Sequence, residues 1–167
     1  ASGFSPRSLW DAWPSLRFVP IPAPCLRHAE LVERLRALEA RHPGRLAIEE
    51  LGRSVEGRPI HLVTLGTGPR RILLWSQMHG DEPSATPALL DLADTLLAVP
   101  APEHRAILES LTLLVVPMLN PDGAERYARR NAQAIDINRD ALHLSTPEGR
   151  VLKGVRDRFQ PEIGFNL

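Results

Sequence analysis

His79 and Glu82, which stand three residues apart, could bind a metal ion. They lie in "LLWSQMHGDEPSATPALL", between an apolar run and a proline. Zinc accepts imidazole nitrogen and carboxylate oxygen at about 2.0–2.2 Å, and a catalytic zinc commonly uses three protein ligands and leaves one position for water. The pair alone is a weak signal, because 6 histidines and 20 acidic residues among 167 give roughly 0.7 such pairs by chance. Its surroundings must decide between a metal site and a histidine that only hydrogen-bonds within a loop.

The segment around the pair predicts a strand, a loop and a helix in that order. "RRILLWSQ" is a short apolar run bounded by "TGPRR" and "HGDEP", which is typical of a buried strand. Pro83 suits a first helical turn, and apolar residues up to Leu96 then recur at helical spacing. The pair is therefore expected at the C-terminal end of a strand. There Gly80 would permit a backbone conformation closed to other residues, and both side chains could turn toward one point.

The rest of the chain alternates between strand and helix patterns. "LTLLVVPML" predicts a second buried strand, and it too is followed by a polar loop. Helices are predicted from His28 to Arg41 and in "TPEGRVLKGVRDRFQ", and strands in "RLAIEEL", "RPIHLVTLG" and "PEIGFNL". This order predicts an α/β fold with a mixed, mostly parallel sheet sandwiched by helices. Ligands bind outside the carboxyl ends of such strands, where both polar loops fall.

Composition narrows the class of protein. With 43% hydrophobic and 24% charged residues, the chain is typical of a globular domain, and its 20 basic and 20 acidic residues give no net field to favour nucleic acid. No apolar run approaches the roughly 20 residues needed to span a bilayer. The only cysteine, Cys25, excludes an internal disulfide and a cysteine-rich zinc site. Residues 1–25 mix Pro, Ser and Trp without a period and are expected to form an extended N-terminal arm, with Trp10 and Trp13 as anchors.

Three short segments, in this order, resemble the zinc metallocarboxypeptidases of the carboxypeptidase A type. "HGDE" at 79–82 resembles that family's His-x-x-Glu zinc motif, "NPDG" follows at 120–123, and "DINR" at 136–139 resembles its Asp-x-Asn-Arg segment. "LGRSVEGRPI" at 51–60 is similar to the segment before the zinc strand. The resemblance covers residues 29–167, and the ordered combination is much more specific than any single segment.

The resemblance implies one Zn²⁺ ion, with His79 and Glu82 as ligands. Asp136 would be the carboxylate that orients His79 through its second ring nitrogen. The residues of "NPDG" are typical of turns, so we expect this segment to determine the shape of its loop without contacting the substrate.

The same resemblance assigns substrate-binding roles to residues of the second loop. Arg129 matches the arginine that stabilises the oxyanion formed at the scissile carbonyl, and the adjacent Arg130 is a contender. Asn138 and Arg139 would hold the carboxylate at the C-terminus of the substrate, a task that suits a planar guanidinium beside an amide.

Several positions depart from the family pattern. Asp81 stands where many digestive members have a basic residue, Asp140 where asparagine is common, and Ala134 where glycine is frequent. These differences argue against a digestive specificity. They leave room for relatives that trim peptidoglycan peptides, amidated peptides or acyl-amino acids.

Part of the family's machinery is expected outside this chain. The third zinc ligand, a histidine, and the catalytic glutamate are expected beyond Leu167. Residues 26–167 would thus be the N-terminal part of the catalytic domain, with the C-terminal part missing. His143 is too close to Arg139 to be a substitute for the third ligand. The other histidines are expected to be surface or packing residues: His28, His42, His61 and His104.

The sequence therefore predicts zinc-dependent hydrolysis of a C-terminal peptide or peptide-like amide bond, incomplete in the 167-residue chain. One alternative is a zinc deacylase or amidohydrolase related to aspartoacylase and succinylglutamate desuccinylase. Another is an inactive module that binds C-terminal carboxylates. A peptide or peptidoglycan-derived substrate is expected, with no nucleic acid partner and no membrane span. Oligomeric state is left open, and a periplasmic or secreted location is favoured over a cytoplasmic one.

Overall fold

The computed structural model describes residues 6–16, 26–98 and 101–167. The helices are α1 Pro6–Leu16, α2 His28–Arg41, α3 Ala85–Ala98, α4 Pro102–Ser110, α5 Pro121–Arg126 and α6 Pro147–Phe159. The strands are β1 Leu46–Arg53, β2 Pro59–Leu65, β3 Arg70–Trp75, β4 Leu111–Val116 and β5 Ile163–Asn166. No helix in these described ranges has both the length and the apolar character needed to cross a bilayer.

The expected extended arm of residues 1–25 is helical where the structure describes it, since residues 6–16 form helix α1. The other residues of the expected arm, 1–5 and 17–25, lie outside the described residues. Pro6 is tolerated at the first helical position, and Arg7 and Asp11 form an ion pair four residues apart at 3.2 Å. Trp10, the first expected anchor, is 74% exposed to solvent among the described residues. The side chain of Trp13, the second expected anchor, lies outside the described part of the chain.

The five described strands form one mixed sheet with the order β1-β2-β4-β3-β5. β3 pairs in parallel with β4 and β5, whereas β2 pairs antiparallel with β1 and β4. The mixed sheet is confirmed, but it is evenly mixed and not mostly parallel. One of the two antiparallel pairs, β1 with β2, follows from a tight turn, where the Ser54 N–H donates to the Arg58 carbonyl at 2.9 Å and the chain reverses.

Helices cover both faces of the sheet, as predicted. On one face, α2 and α3 bury leucines against β2 and β4, including Leu31, Leu35 and Leu38 at helical spacing. On the other face, α6 packs Val155 and Leu152 against the sheet. The bounds of α2 match the prediction. α3 begins two residues after Pro83, and α4 was not predicted because its short pattern, "PEHRAILES", buries no residue completely.

On the two sides of β3, the helical connections between parallel strands run over opposite faces of the sheet. The chain leaves β3 through α3 and α4 on one face to reach β4, and leaves β4 through α6 on the other face to reach β5. A crevice forms outside the carboxyl ends of parallel strands at such a point, and this is where ligands bind in open α/β sheets.

Candidate metal centre

The two polar loops meet because β3 and β4 are parallel neighbours. Trp75 and Val116 are paired at the ends of the two strands. Backbone pairing continues beyond them: the Ser76 N–H donates to Val116 O at 3.0 Å, and the Asn120 N–H donates to Gln77 O at 2.9 Å. The segments before His79 and after β4 are thus held side by side.

Gly80 is needed for space and not for a special backbone conformation. A Cβ atom at Gly80 would lie 2.0 Å from the Gly123 carbonyl carbon and 2.3 Å from the Ala124 nitrogen. The residue in the left-handed region is instead Gln77, with φ 47°. The sequence analysis expected a glycine-specific backbone conformation at Gly80, and this expectation is wrong. Glycine is required at this position because the loop of His79 packs directly on the backbone of α5.

His79 is the centre of the site. Its side chain is buried, with the residue 6% exposed, and each ring nitrogen faces a carboxylate from a different loop. Nδ1 lies 3.0 Å from Glu82 Oε2, and Nε2 lies 3.1 Å from Asp136 Oδ1. The structure thus brings together the two candidate ligands and the candidate orienting carboxylate. With Nε2 donating to Asp136, the lone pair of Nδ1 points toward Glu82.

Arg129 bridges the same two carboxylates. Its Nε donates to Asp136 Oδ2 at 3.2 Å, and its Nη1 donates to Glu82 Oε1 at 3.5 Å. Burial by itself raises the pKa of Asp136. The hydrogen bonds from His79 and from the Asn138 N–H, with the charge of Arg129, hold that pKa below its usual value. Asp136 is therefore an anion at neutral pH, which favours the Nε2–H tautomer of His79.

The remaining sequence candidates lie around this centre without joining it. Arg130 turns back onto its own loop, where its Nη1 donates to Ala134 O at 3.1 Å. Asn138 and Arg139 form a 3₁₀ turn with exposed side chains, and Arg139 Nη1 donates to the Asn138 carbonyl at 3.3 Å. The geometry thus favours Arg129 over Arg130 and leaves Asn138 and Arg139 presented to solvent.

The "NPDG" segment supports both loops. Asn120 is fully buried, its Oδ1 caps the Gly123 N–H at 2.9 Å, and its Nδ2 donates to Met78 O at 3.3 Å and to Arg129 O at 3.4 Å. One side chain therefore contacts the residue before His79 and the backbone of the candidate oxyanion arginine. The loop-shaping role expected for this segment is visible in these contacts.

A buried polar contact between the site loop and helix α6 was not predicted from the sequence. Asn131 donates its amide to Glu148 Oε2 at 3.0 Å, and both residues are buried. Glu148 lies in the first turn of α6, after the N-cap Thr146 whose hydroxyl accepts from Gly149 N at 3.0 Å. The cap could be recognised in "TPEG", but nothing in the sequence indicates that the Glu148 side chain turns inward.

The other histidines lie away from His79. His42 is buried and its Nε2 contacts Asp94 Oδ1 at 2.7 Å. His28 Nε2 donates to Pro59 O at 2.8 Å, and its ring stacks on that of His61 with centroids 6.3 Å apart. His143 is exposed, in the turn before α6.

The donor set at His79 fits zinc, although it is incomplete. Two ligand atoms bound to one tetrahedral zinc at about 2.0–2.2 Å lie about 3.4 Å apart. The 3.0 Å between His79 Nδ1 and Glu82 Oε2 is near that spacing. In the part of the chain that the structure describes, no group of three or more His, Cys, Asp or Glu side chains could hold a metal ion. The described residues thus bring together two donors of the type and spacing that zinc uses.

Comparison with known proteins confirms the resemblance. The family profile described as "Zinc carboxypeptidase" matches residues 31–155, about three quarters of the chain. Carboxypeptidase E of Caenorhabditis elegans is 31% identical over 140 residues, which cover 71% of this chain and 30% of that protein. The chain thus spans about three tenths of the length of this relative.

Solved structures agree on fold and family. A metallo-carboxypeptidase from Burkholderia cenocepacia superposes with a TM-score of 0.77 at 25% identity, over 85% of this chain and 40% of that one. A metallo-carboxypeptidase from Pseudomonas aeruginosa, solved in complex with (2-guanidinoethylmercapto)succinic acid, superposes with a TM-score of 0.66 at 28% identity, over 80% of this chain and 38% of that one. This chain, with its His79 and Glu82 loop at the end of β3, belongs to the zinc carboxypeptidase family.

Proposed function

We propose that the full-length protein hydrolyses the C-terminal peptide bond of its substrates at a zinc centre that includes His79 and Glu82. One observation carries the proposal: each ring nitrogen of His79 faces a carboxylate from a different loop, and Arg129 spans both carboxylates. Here the Nδ1 lone pair and a Glu82 oxygen point at each other, an arrangement that a cation between them stabilises.

In this proposal His79 and Glu82 are two zinc ligands and Asp136 holds the His79 tautomer. Zinc, when bound, supplies Lewis-acid polarisation of the scissile carbonyl. Asp136 contributes by accepting from Nε2, which keeps the ring oriented and its Nδ1 basic. We place the third protein ligand and the general base outside the described residues, and residues 26–167 as the N-terminal part of the catalytic domain.

Arg129 is proposed to stabilise the oxyanion. Its guanidinium is 45% exposed and lies beside Glu82 and Asp136, so its N–H groups can redirect to a substrate oxygen at the same place. Such a donor is worth about 10²–10³ in kcat where the site excludes water. Arg130, which donates to Ala134 O, provides a matched control of the same charge one residue away.

Asn138 and Arg139 are proposed to bind the C-terminal carboxylate of the substrate. Both side chains are exposed next to Asp136, and a guanidinium fork beside an amide matches a planar carboxylate. The ligand in the Pseudomonas aeruginosa structure is a succinic acid derivative, so that relative also binds a compound with carboxylates. This agreement supports peptides with a free C-terminus as the substrate class. We further propose that peptidoglycan-derived peptides are among these substrates and that the enzyme acts in a periplasmic or secreted setting.

The experiment is a product analysis with the zinc-loaded, full-length protein. Peptides with a free C-terminal carboxylate, the same peptides amidated, and acyl-amino acids are offered in parallel. We expect release of the C-terminal residue from the first set. Turnover of acyl-amino acids alone would favour the deacylase alternative, and binding without turnover would favour the inactive module. The similarity to proteins named carboxypeptidases favours neither alternative.

Substitutions then test the residue roles. Arg139→Ala is expected to cost on the order of 2–5 kcal/mol in kcat/KM, because the substrate carboxylate loses a charged partner, and Arg139→Lys should recover little. Arg129→Ala should lower kcat about 10²–10³-fold, while Arg130→Ala has little effect. Unchanged kcat/KM for Arg139→Ala toward free-carboxylate peptides would refute the assignment of Arg139.

A further inference from the structure

Glu148 is a buried acid that the proposed reaction does not use. It lies in the first turn of α6, outside the motif segments, and is 0% exposed. Its Oε2 accepts from Asn131 Nδ2 at 3.0 Å, while Oε1 has no hydrogen-bond partner among the described residues. Burial raises the pKa of Glu148, and the hydrogen bond from Asn131 opposes that rise only in part. An apolar side chain of similar size could fill this position without that cost.

Asn131, the partner of Glu148, organises the loop that carries the active-site residues. Its Oδ1 accepts from the Gln133 N–H at 3.0 Å and from the Ile135 N–H at 3.1 Å. Its own N–H donates to Ile135 O at 3.1 Å, and its carbonyl accepts from the Ala134 N–H at 3.0 Å. Residues 131–135 therefore form a closed loop held by one asparagine side chain.

This closed loop sets the separation of two site residues. Arg129 precedes it by two positions and Asp136 follows it directly. The guanidinium of Arg129 and the carboxylate of Asp136 meet at 3.2 Å across its open end. The Glu148 contact is what ties Asn131, and with it the loop, to α6, which packs on the sheet through Val155.

We propose that Glu148 is a positioning residue that acts through Asn131 to fix Arg129 and Asp136 relative to His79. The proposal rests on the proposed function for its effect on turnover. The contacts on which the positioning role rests, from Glu148 to Asn131 and from Arg129 to Asp136, are present without substrate or metal. Glu148 touches none of the reacting groups, so it differs in kind from Arg129 and Asp136.

The test compares Glu148→Ala with Glu148→Gln in the full-length protein. The glutamine keeps an oxygen that can accept from Asn131, whereas alanine removes it. We expect Glu148→Ala to lower kcat by about 10–100-fold with KM little changed, and Glu148→Gln to stay within about threefold of wild type. In an Arg129→Ala background the same alanine substitution should cost less than about threefold, because residues that act through one group are not additive.

A second readout is independent of activity. In the metal-free protein, the side-chain Nε–H resonance of Arg129, assigned with an Arg129→Lys variant, reports its hydrogen bond to Asp136. We expect this resonance in wild type and Glu148→Gln, and its loss in Glu148→Ala. If Glu148→Ala does not fold, Glu148→Met replaces it, since methionine fills a similar volume and removes the oxygen that accepts from Asn131 Nδ2.

The outcomes separate the two proposals. An unchanged Arg129 resonance in Glu148→Ala, or an equal loss of kcat with and without Arg129, would overturn the positioning role. Loss of the resonance in a protein whose wild type cleaves no peptide would leave the positioning role intact and refute the proposed function.

Discussion

Asp122 and Asp136 both lie between β4 and α6, Asp122 in helix α5 and Asp136 in the loop that follows it, and they have opposite environments. Asp122 is 0% exposed and accepts from Ser54 Oγ at 2.7 Å, from Glu56 N at 3.0 Å and from Arg58 Nη1 at 2.7 Å. Asp136 is 18% exposed. Its partners include His79 and Arg129, which are themselves candidate reacting groups.

The difference distinguishes a fixed part of the segment between β4 and α6, around Asp122, from the part that carries the candidate site, around Asp136. All partners of Asp122 named above come from the turn between β1 and β2, so this carboxylate joins two motif segments, "LGRSVEGRPI" and "NPDG". The partners of Asp136 come from separate loops and could exchange for substrate or metal. We expect substitutions at Asp122 to change stability, and substitutions at Asp136 to change chemistry.

The largest effect is expected for Asp122→Ala. Removing this carboxylate takes the acceptor from the Ser54 hydroxyl and the Glu56 N–H, and leaves the Arg58 guanidinium with the Glu56 carboxylate as its partner. We expect a cost of about 3 kcal/mol in the free energy of unfolding. Urea denaturation of the full-length protein measures the change. Asp157→Ala, which removes an exposed carboxylate on α6, is the control and should change stability far less. Equal destabilisation by the two variants would remove the distinction between the two aspartates.

Asp136→Asn is expected to affect metal binding and activity more than stability. The amide keeps the size of the side chain but weakens the hold on His79 and Arg129, so zinc affinity or kcat/KM should fall about 10–100-fold. The free energy of unfolding of the metal-free protein should change much less than in Asp122→Ala. Metal titration and denaturation on the same preparation test both parts. A destabilised variant with normal zinc affinity would mean that Asp136, like Asp122, has a structural role and does not orient His79.

Asp140 and Glu148 also have opposite environments, and they are expected to change the free energy of unfolding with pH in opposite directions. Burial raises the pKa of Asp140, but hydrogen bonds from Thr146 and Ser145 outweigh it and hold the pKa below its ordinary 3.8. The stability that Asp140 contributes is therefore present above that value and is lost as pH falls through the folded pKa. The pKa of Glu148 is raised above 4.5 by burial, so its contribution is present below that value and is lost as pH rises.

Unfolding free energies measured across pH test these signs. Asp140→Asn should flatten the loss of stability in acid, and Glu148→Gln should flatten the loss above about pH 4.5, each by about 1.4 kcal/mol for every unit of pKa difference removed. If Asp140→Asn leaves the acid limb unchanged, the hydrogen bonds at Asp140 do not have the assigned effect.

The smallest effect is expected for Ala134→Gly. Ala134 has φ 60° in the closed loop of residues 131–135, a conformation that costs a non-glycine residue about 1–2 kcal/mol. Glycine removes that strain but loses more chain entropy on folding, so the net gain should be about 0.5–1 kcal/mol. A thermal unfolding curve of the variant measures it, and a lowered midpoint would contradict the assigned strain.

Much of the fold could be predicted because its signals are local. The helical spacing of Leu31, Leu35 and Leu38, and the apolar runs of β3 and β4, predicted those elements and placed His79 at a strand end. Helix α1 was missed because its prolines were interpreted as signs of an extended arm. The even mixture of parallel and antiparallel pairs depends on which strands become neighbours, which spacing alone does not encode.

The candidate site also has residues that local sequence motifs predict and contacts that only the folded chain shows. His79, Glu82, Asp136 and Arg129 could be named from short motifs, because ligand types and their order are written in the sequence. The contacts of Asn131 and Glu148 could not, since they join a loop to a helix that meet only in the folded chain. Gly80 shows the limit most clearly: its need for space comes from α5, which lies some forty residues further along the chain.

The most direct test of the central claim is anomalous diffraction at the zinc edge from crystals of the full-length protein. We predict a single strong peak bonded to His79 Nδ1 and to a Glu82 carboxylate oxygen at about 2.0–2.2 Å, with Asp136 still hydrogen-bonded to Nε2. A zinc ion bonded to Nε2, or located away from both side chains, would contradict the assignment of this loop as the metal centre.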